Sequence, residues 1–409
     1  MNPRLRSKRE DGTNYPDWEE KKLGEVLTQR RDIQTISEKA PLLAFTIEDG
    51  VIDPKDKKTN KRDFLIKDKE NKKFQLTKYD DIIYNPANIK FGAIHHNKFG
   101  EGVVSPIYVI LKTNQNPNFV EYSLKRESFI SKTKKYLEGT VEKLRTLKPE
   151  NFLSLSIFFP CLEEQEKIGS FLSDIDEVIL ATSQEIKKLE ELKKGVIQKI
   201  FSQEVRFKKA DGTNYPDWEE KKLGEVTEDI RGGFGFPINE QGKKVGDLPF
   251  YKVSDMNHFD NQIYMNFAEN YINFDISKKL KCNPAPKDTI IFPKLGMAIK
   301  TNKKRILSKT SCYDNNIFGL IVNDKYILPK FLYYKFVNLD LMLLAEMGNT
   351  IPSIRKSALE DFVFSFPCLE EQQKIADCLS AFDEAISLSK QELDKWKLLK
   401  KGFLQQMFV

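Results

Sequence analysis

The sequence has few of the residues that form disulfides, metal sites or membrane spans. Among 409 residues there are three histidines and five cysteines, and no two cysteines form a CxxC pair. This spacing predicts neither a disulfide framework nor a zinc site, and we expect no metal ligands. No run of about 18 apolar residues, the length that spans a bilayer, is present, and the first residues, MNPRLRSKRE, have no apolar core. We therefore expect a cytoplasmic protein with no membrane segment.

The signatures of common enzymes are also missing. The chain contains no GxxxxGK phosphate loop and no glycine fingerprint for a dinucleotide. Asn85-Pro86-Ala87-Asn88 lacks the second proline and the aromatic residue of the NPPY motif of amino-methyltransferases. Pro16-Asp17, followed closely by Glu19 and Lys21, has no room for the separate strands of a PD…ExK nuclease site. We therefore predict no catalytic residues.

The chain instead contains an internal repeat. The segment DGTNYPDWEEKKLGEV occurs at residues 11–26 and again, unchanged, at 211–226, a spacing of 200. A second block, FPCLEEQxKI, begins at Phe159 and again at Phe366, a spacing of 207. The intervals between the blocks match only as a skeleton, in which Leu144-Arg145 aligns with Ile354-Arg355. We therefore expect two cassettes that share a fold and differ in their loops.

Each second block continues into a heptad pattern that predicts a long helix. A polar residue interrupts the apolar seam at equivalent places, as Thr182 and Lys193 in the first helix and as Ser389 and Lys400 in the second. Since a lone stripe of this length would promote association, we expect the two helices to pack on each other, antiparallel, as a spacer. The predicted pairing residues are Ile168, Leu172, Ile175, Ile179, Ile186 and Leu189 with Ile375, Leu379, Phe382, Ile386, Leu393 and Trp396.

Within the cassettes, short apolar runs separated by Gly, Pro and Asn predict strands joined by long polar loops. The clearest predicted strands lie at 81–84, 103–111, 289–292 and 318–322, and a helix is predicted at 330–338. The fold class is therefore α/β, of the mixed α+β kind, with two globular domains separated by two long antiparallel coiled-coil helices in a pseudo-twofold repeat. The predicted boundaries are 1–158 and 205–365 for the domains and 159–204 and 366–409 for the helices.

The basic residues are distributed in a way that favours a nucleic-acid partner. Net charge is only +6, but lysines and arginines cluster in both cassettes, in loops at 85–102, 131–145, 231–244 and 294–305. Lysine and arginine contact phosphates, and arginine and histidine can also read base edges. The candidate DNA-binding residues are Arg62, Lys90, His95, His96, Lys98, Lys134, Lys135, Arg145, Arg231, Lys243, Lys294, Lys300, Lys303, Lys304, Arg305 and Arg355.

Two dissimilar cassettes, each introduced by a WExxxLGE block and followed by FPCLEEQxKI, resemble the DNA-specificity subunit of type I restriction-modification systems. The resemblance covers nearly the whole chain. It implies two target recognition domains, each reading one half of a split, asymmetric site in double-stranded DNA, and helices that set the gap between the halves. It also implies docking of two methyltransferase subunits and, in the full complex, of two restriction subunits. S-adenosylmethionine, ATP and magnesium would then bind those partners, and no cofactor would bind this chain.

Three alternatives stay open at this stage. The chain is also compatible with the specificity subunit of another restriction-modification type. A self-sufficient DNA-modifying enzyme with an unrecognised active site would cleave or methylate DNA without added subunits. A coiled-coil interaction protein would not bind duplex DNA at all.

Overall fold

The computed structural model describes residues 2–57, 72–139, 145–347 and 351–409. The chain divides into two compact units. Unit 1 consists of Met1–Gln184 and Lys390–Val409, and unit 2 consists of Glu185–Ser389. Each unit therefore holds one cassette together with a part of both long helices.

Unit 1 contains small antiparallel sheets and short helices. Its strands are β1 (Glu19–Lys22), β2 (Leu27–Arg30), β3 (Ile33–Gln34), β4 (Ala44–Thr46), β5 (Gly50–Ile52), β6 (Phe74–Thr77), β7 (Ile82–Tyr84), β8 (Ile94–His96), β9 (Gly102–Val104), β10 (Val109–Thr113) and β11 (Ser156–Phe159). Its helices are α1 (Leu23–Val26), α2 (Pro117–Lys125), α3 (Glu127–Thr133), α4 (Pro149–Leu153) and α5 (Leu162–Phe201), which continues into unit 2. The main sheet has the order β2-β10-β7-β8, and β3-β6-β9 form a second sheet.

Unit 2 repeats this plan with insertions. Its strands are β12 (Glu219–Lys222), β13 (Thr227–Gly232), β14 (Leu248–Tyr251), β15 (Tyr264–Met265), β16 (Asn270–Ile272), β17 (Ile290–Pro293), β18 (Arg305–Leu307), β19 (Cys312–Tyr313), β20 (Ile317–Val322), β21 (Ala345–Met347), β22 (Pro352–Ile354) and β23 (Val363–Phe366). Its helices are α6 (Leu223–Val226), α7 (Phe274–Lys279), α8 (Pro329–Asn338), α9 (Lys356–Glu360) and α10 (Leu369–Gln406), which ends in unit 1. The main sheet has the order β13-β20-β17-β18-β15.

The two main sheets share their topology, which confirms the predicted mixed α/β class and the common fold of the cassettes. The order β2-β10-β7-β8 corresponds to β13-β20-β17-β18, and a helix follows the long strand in both units. The apolar runs are continuous because both faces of each sheet are covered. In β7, Ile82 and Tyr84 belong to one apolar cluster and Ile83 to another, as expected when successive side chains point to opposite faces.

The long helices contribute to the cores of the cassettes. Ile168, Leu172 and Ile175 lie in the main core of unit 1, and Ile375 and Leu379 lie in that of unit 2. Of the other predicted pairing residues, Ile186 and Ile386 are buried, and a third group is half-buried, namely Ile179, Leu189, Phe382, Leu393 and Trp396. The first turns of each seam therefore pack against a recognition cassette, a contact that the heptad pattern alone does not indicate.

Within unit 1, the two helices run in opposite directions. Phe171 of α5 packs edge-on against Phe403 of α10, with ring centroids 4.9 Å apart, and Asp176 binds Lys400. Residues later in α5 therefore contact residues earlier in α10, which is the antiparallel arrangement. The seam residue Thr182 places its hydroxyl 2.8 Å from the carbonyl oxygen of Val178 in its own helix, so its burial leaves no donor unpaired.

Three further expectations concern the cysteines, membrane spans and metal ligands. All five cysteines are free. In the part of the chain that the structure describes, no helix is long and apolar enough to cross a bilayer, and no three His, Cys, Asp or Glu side chains are grouped as metal ligands would be.

Candidate nucleic-acid interface

The repeated blocks form one frame in each unit, although they lie far apart in the sequence. In unit 1, β1 from the first block pairs with β11, which leads into the second, so that Glu19 lies opposite Phe159. In unit 2, β12 pairs with β23 in the same register, with Glu219 opposite Phe366. The cassette between the two blocks is therefore an insertion between two strands that pair with each other in the frame. This arrangement places the variable cassettes on an invariant support.

A buried carboxylate holds each frame together. Glu164 has a fully buried side chain and accepts two hydrogen bonds from Arg6, at 2.9 and 2.7 Å, and one from the Trp18 indole at 3.2 Å. In unit 2, Glu371 is buried in the same way and accepts bonds from Arg206 at 3.2 and 2.7 Å. The hydrogen bond to the glutamate raises the pKa of each arginine. The two glutamates of FPCLEEQ therefore have different environments, since Glu163 and Glu370 are exposed.

The glutamine of FPCLEEQ joins each long helix to its cassette. The Gln372 side chain is fully buried; its amide donates to the carbonyls of Pro367 and Tyr326, at 2.8 and 2.9 Å, and its oxygen accepts from the Leu328 N–H at 2.8 Å. Gln165 binds Pro160 and the Asn116 N–H in the same manner. Each glutamine thereby fixes the residues that open α2 or α8, which explains its place in the motif.

In each unit, an aromatic cluster packs around the C-terminal end of a long helix, which is α10 in unit 1 and α5 in unit 2. In unit 1, Phe408 packs against Trp18 and Phe119, with ring centroids 6.2 and 5.4 Å apart. The counterparts in unit 2 are Phe201, Trp218 and Phe331, with centroids 5.7–6.4 Å apart. Next to each cluster a backbone bond joins the end of a long helix to the segment that precedes the first repeated block of that unit: Leu5 N donates to Gln406 O in unit 1, and Val205 N donates to Lys199 O in unit 2.

The seam lysines have specific partners. Lys400 lies 2.5 Å from the Asp176 carboxylate and 5.1 Å from the ring centroid of Tyr122, whose hydroxyl donates to Asp176 at 2.7 Å. The counterparts in unit 2 are Lys193, Asp383 and Tyr334, with separations of 2.5, 5.2 and 2.6 Å. Burial and the nearby aspartate raise the pKa of Tyr122, so the phenol stays a donor. The lysine therefore fixes the helix against both the opposing helix and the cassette.

The predicted DNA-binding residues fall into different environments. The exposed ones are Lys98, Lys134, Lys135, Arg145, Lys243, Lys300 and Arg355. The half-buried ones are Lys90, Arg231, Lys294 and Lys303. Arg62 lies outside the described residues. The buried ones are His95, His96, Lys304 and Arg305, which places them in the interior and away from the surface that a phosphate backbone would meet.

His95 and His96 lie on strand β8, and the prediction that they belong to a loop is wrong. His95 Nε2 is 2.8 Å from the Ile47 carbonyl oxygen, and His96 Nε2 is 2.7 Å from Asp80 Oδ1. On its other side, the His95 ring lies 3.2 Å from the buried Glu121. Burial raises the pKa of Glu121, but the His95 hydrogen bond and the charge of Lys125 lower it more, to about 2. The histidine thus belongs to a buried polar cluster.

Arg305 occupies the strand position in unit 2 that His95 occupies in unit 1. His95 lies opposite Ile83, and Arg305 lies opposite the equivalent Ile291. Arg305 Nη2 donates to the Met256 carbonyl at 2.9 Å and Nε donates to that of Asn261. Both side chains therefore hold an inserted segment onto the sheet through its carbonyl groups.

Arg231 and Gly233 also have a structural explanation. Arg231 donates to Asp229 at 2.9 Å and to the Pro284 carbonyl at 2.8 Å. A Cβ on Gly233 would lie 1.9 Å from the Asp314 carbonyl oxygen, which no side chain tolerates. Position 233 therefore requires glycine because the backbone there passes close to the turn after β19, whereas a Cβ on Gly235 would meet no atom within 4 Å.

Lys304 makes a pH-dependent contribution to stability that can be measured. Its Nζ donates to Asn302 Oδ1 and to the Leu339 carbonyl, both at 2.6 Å. Burial lowers the pKa of Lys304 from the usual 10.5 to about 7, against the smaller opposing effect of Asp340. Between these two pH values the unfolded chain binds more protons than the folded chain, so unit 2 should gain stability as the pH rises, by up to about 1.4 kcal/mol per pH unit.

The measurement is denaturant unfolding of unit 2 at pH 7.5, 8.5 and 9.5, in the wild type and in Lys304→Gln. We expect the free energy of unfolding of the wild type to increase relative to the variant across this range. If the difference in the free energy of unfolding between wild type and variant stayed constant with pH, the lowered pKa of Lys304 would be contradicted.

The equivalent helix ends correct one alignment made from the sequence. The N-caps of α4 and α9 are Lys148 and Arg355, which form ion pairs with Glu138 at 2.6 Å and Glu346 at 2.8 Å. Arg355 therefore corresponds to Lys148, and its alignment with Arg145 is wrong by three residues. The error arose because Leu144-Arg145 and Ile354-Arg355 were aligned on residue type alone.

Known proteins contain the same repeated organisation. A family model, the type I restriction modification DNA specificity domain, matches residues 15–191 and again 215–397. The chain belongs to this family. Two domains of the DNA specificity type in one chain, each with its frame and long helix, make it a type I specificity subunit with two target recognition domains.

Individual relatives agree with the family. The chain is 27% identical to the putative type I restriction enzyme MjaX specificity subunit of Methanocaldococcus jannaschii, over 98% of this chain and 95% of that protein. It is also 27% identical to the MjaVIII specificity subunit of the same organism, over 71% and 69%. Among solved structures, the S subunit of a type I restriction-modification system from M. genitalium has a TM-score of 0.61 at 15% identity and covers 100% of this chain and 99% of its own. A chain from a study of complex assembly in a type I system has a TM-score of 0.55 at 16% identity, covering 96% and 98%. The fold is therefore shared along the whole chain.

Proposed function

We propose that this chain is a non-catalytic subunit that reads a split, asymmetric site in double-stranded DNA. Each unit reads one half-site through its cassette, and the long helices set the gap between the halves. The observation that supports this proposal is that the strand register, the buried glutamate–arginine pair and the glutamine contacts of the frame occur in both units, while the cassettes on it have diverged. The equivalent frame surfaces suit the docking of two copies of one partner. The two different cassettes suit the recognition of two different DNA half-sites.

The same proposal assigns the chemistry to partner subunits. Two methyltransferase subunits dock on the repeated frame and bring S-adenosylmethionine, and two restriction subunits join with ATP and magnesium. A protein that recognises chromosomal DNA in this way works in the cytoplasm. Two linked half-sites multiply discrimination, because the second binding event is intramolecular once the first has formed.

Cassette exchange tests this proposal. Residues 227–362 should be replaced by the matching segment of a relative, which leaves β12 and β23 and their pairing intact. We expect methylome sequencing of cells that carry the hybrid and the methyltransferase to show one half of the recognised sequence changed and the other half retained. The matched control exchanges the equivalent segment of unit 1 and should change only the other half. A hybrid that changed both halves would contradict the modular reading.

A further inference from the structure

The hairpin between the two central strands has the same tip in both units. In unit 1, a 3₁₀ turn at Ile89–Phe91 lies between β7 and β8, and in unit 2 a longer 3₁₀ turn at Gly296–Thr301 lies between β17 and β18. Ile89 and Ile299 are fully buried and accept a backbone bond from Gly92 and Asn302, at 2.8 and 2.9 Å. Gly92 and Asn302 both have the left-handed conformation, with φ of 81° and 53°. The two turns therefore have the same anchor and the same ending.

One lysine is common to both tips. It follows the buried isoleucine directly, as Lys90 in IKFG and as Lys300 in IKTN. Lys300 is exposed, and the Lys90 ammonium lies 5.2 Å from the centroid of the Phe91 ring. A lysine retained on an equivalent turn of two otherwise divergent domains fits a contact that does not depend on base sequence, which is what a phosphate contact is.

The apolar residues of the two tips differ. Phe91 is 64% exposed in unit 1, where the equivalent residue of unit 2 is Thr301. In unit 2, Met297 is 66% exposed and occupies the earlier part of the longer turn. In DNA-reading proteins, phosphate contacts position the protein and base contacts specify the sequence. The lysine common to both tips suits the first role, and the apolar residue that differs between them suits the second. Apolar side chains discriminate by contact with the thymine methyl group or by insertion between base steps.

The end of a second loop is hydrogen-bonded to the hairpin below each tip. The Leu147 N–H donates to the Pro86 carbonyl at 3.0 Å in unit 1, and the Ile354 N–H donates to the Lys294 carbonyl at 2.9 Å in unit 2. The acidic residues at the base of these loops, Glu138 and Glu346, are each paired with a cation. In unit 1, α3 packs against the tip and leads to the exposed Lys134 and Lys135. In unit 2, Lys294 and Lys303 lie on the tip segment itself. The surroundings of both tips thus favour a polyanion.

We propose that the two tips are the DNA-reading elements of this subunit: Lys90 and Lys300 contact phosphates, and Phe91 and Met297 contact bases. This inference rests on the proposed function and names the residues that perform it. The occupant is duplex DNA. The competing occupant is a protein partner, because exposed apolar groups also serve protein interfaces, and the experiment below separates the two.

The first test uses the complete methyltransferase complex in cells. Phe91→Ala and Met297→Ala should each reduce discrimination about tenfold at positions of one half-site only, and the two variants should affect different halves. The matched controls are Ile107→Ala, 61% exposed between β9 and β10, and Phe274→Ala, 56% exposed on α7. Both controls should leave the methylated motif unchanged.

Two results would overturn the inference about the tips, and a third would overturn the proposed function on which it rests. If the tip variants methylate the wild-type motif with unchanged selectivity, the tips do not read bases. If they lose the methyltransferase on co-purification, the tips dock a protein. If the wild-type complex itself methylates no bipartite motif, the proposed function fails before the tips are tested.

The second test measures affinity with purified complex and synthetic duplexes. Lys90→Ala and Lys300→Ala should weaken binding to cognate and unrelated duplexes by the same factor, and should each reduce the slope of log K against log salt by about 0.9. Lys278→Ala, an exposed lysine of α7, is the matched control and should leave the slope unchanged. An unchanged slope in both tip variants would show that these lysines contact no phosphate.

Discussion

Replacing Arg206 by alanine should destabilise unit 2 by about 3–5 kcal/mol and leave unit 1 nearly unchanged. The reason is the environment of Glu371, whose side chain is completely buried and receives two hydrogen bonds from that arginine. Without the guanidinium, the carboxylate must stay buried as an uncompensated charge or take up a proton. Hydrogen exchange of the β12–β23 pair, compared with the β1–β11 pair in the same sample, measures the effect in each unit separately.

The chain offers a matched comparison in unit 1. Arg6→Ala removes the equivalent partner of Glu164, but the Trp18 indole continues to donate to that carboxylate. Trp218 Nε1 has no hydrogen-bond partner among the described residues. We therefore expect Arg6→Ala to destabilise unit 1 less than Arg206→Ala destabilises unit 2.

Two further variants test whether the buried charge of Glu371 causes the loss of stability. Arg206→Ala combined with Glu371→Gln should regain part of the lost stability, because a neutral amide is less costly to bury than a carboxylate. Arg355→Ala removes an arginine from a largely exposed ion pair and should change the free energy of unfolding by at most about 1 kcal/mol. If Arg206→Ala weakened both units equally, the carboxylate would not be a local anchor of one frame.

Lengthening one long helix should abolish assembly of the complex, whereas lengthening both should restore it with a wider gap. The seam lysines and their aspartate partners define equal intervals, from Asp176 to Lys193 on α5 and from Asp383 to Lys400 on α10. Duplicating residues 178–184 inserts seven residues, about 10 Å at about 1.5 Å per residue, into the first interval only. Both lysine–aspartate pairs cannot then form with helices of unequal length.

The compensated variant also duplicates residues 385–391, the equivalent segment of α10. A seven-residue insertion rotates an ideal helix by only about 20° relative to the seam, so the heptad positions stay in phase. We expect the double insertion to methylate sites whose half-sites are about 10 Å farther apart, and methylome sequencing reports that distance directly. An unaltered gap in an active double insertion would show that the helices do not set it.

The sequence predicted those parts of the fold that depend on local patterns. The apolar run at Ile82–Tyr84 is a strand, the segment 330–338 lies in α8, and the heptads form α5 and α10. The pairing of β1 with β11 was missed because the EEKK segment has no apolar alternation, and its partner lies more than a hundred residues away. A signal for Arg6 did exist, since an arginine precedes both copies of the first block by the same number of residues.

The candidate site was less predictable because the sequence of a short basic loop does not show which of its charged side chains are buried. Lys303 and Lys304 are adjacent and identical in type, yet only Lys304 is buried, with its Nζ bound to Asn302 and Leu339. His95 and Arg305 are buried because inserted segments cover the sheet, and those insertions leave no periodic pattern in the sequence. The lysine common to the two tips could have been found by aligning IKFG with IKTN, but only the left-handed residue after each turn shows that the two are equivalent.

The backbone bond from Leu5 to Gln406 is the same as the bond from Val205 to Lys199, although the polypeptide connects directly only the second pair. Residues 200–204 join the end of α5 to the frame of unit 2, and Glu204 also forms an ion pair with Lys199 at 3.4 Å. Their contribution is to act as a tether, which keeps a helix end at high effective concentration near the frame that receives it. The frame of unit 1 forms the equivalent bond without such a short connection, so we expect a chain with the two cassettes in the opposite sequence order to keep the frame contacts described above.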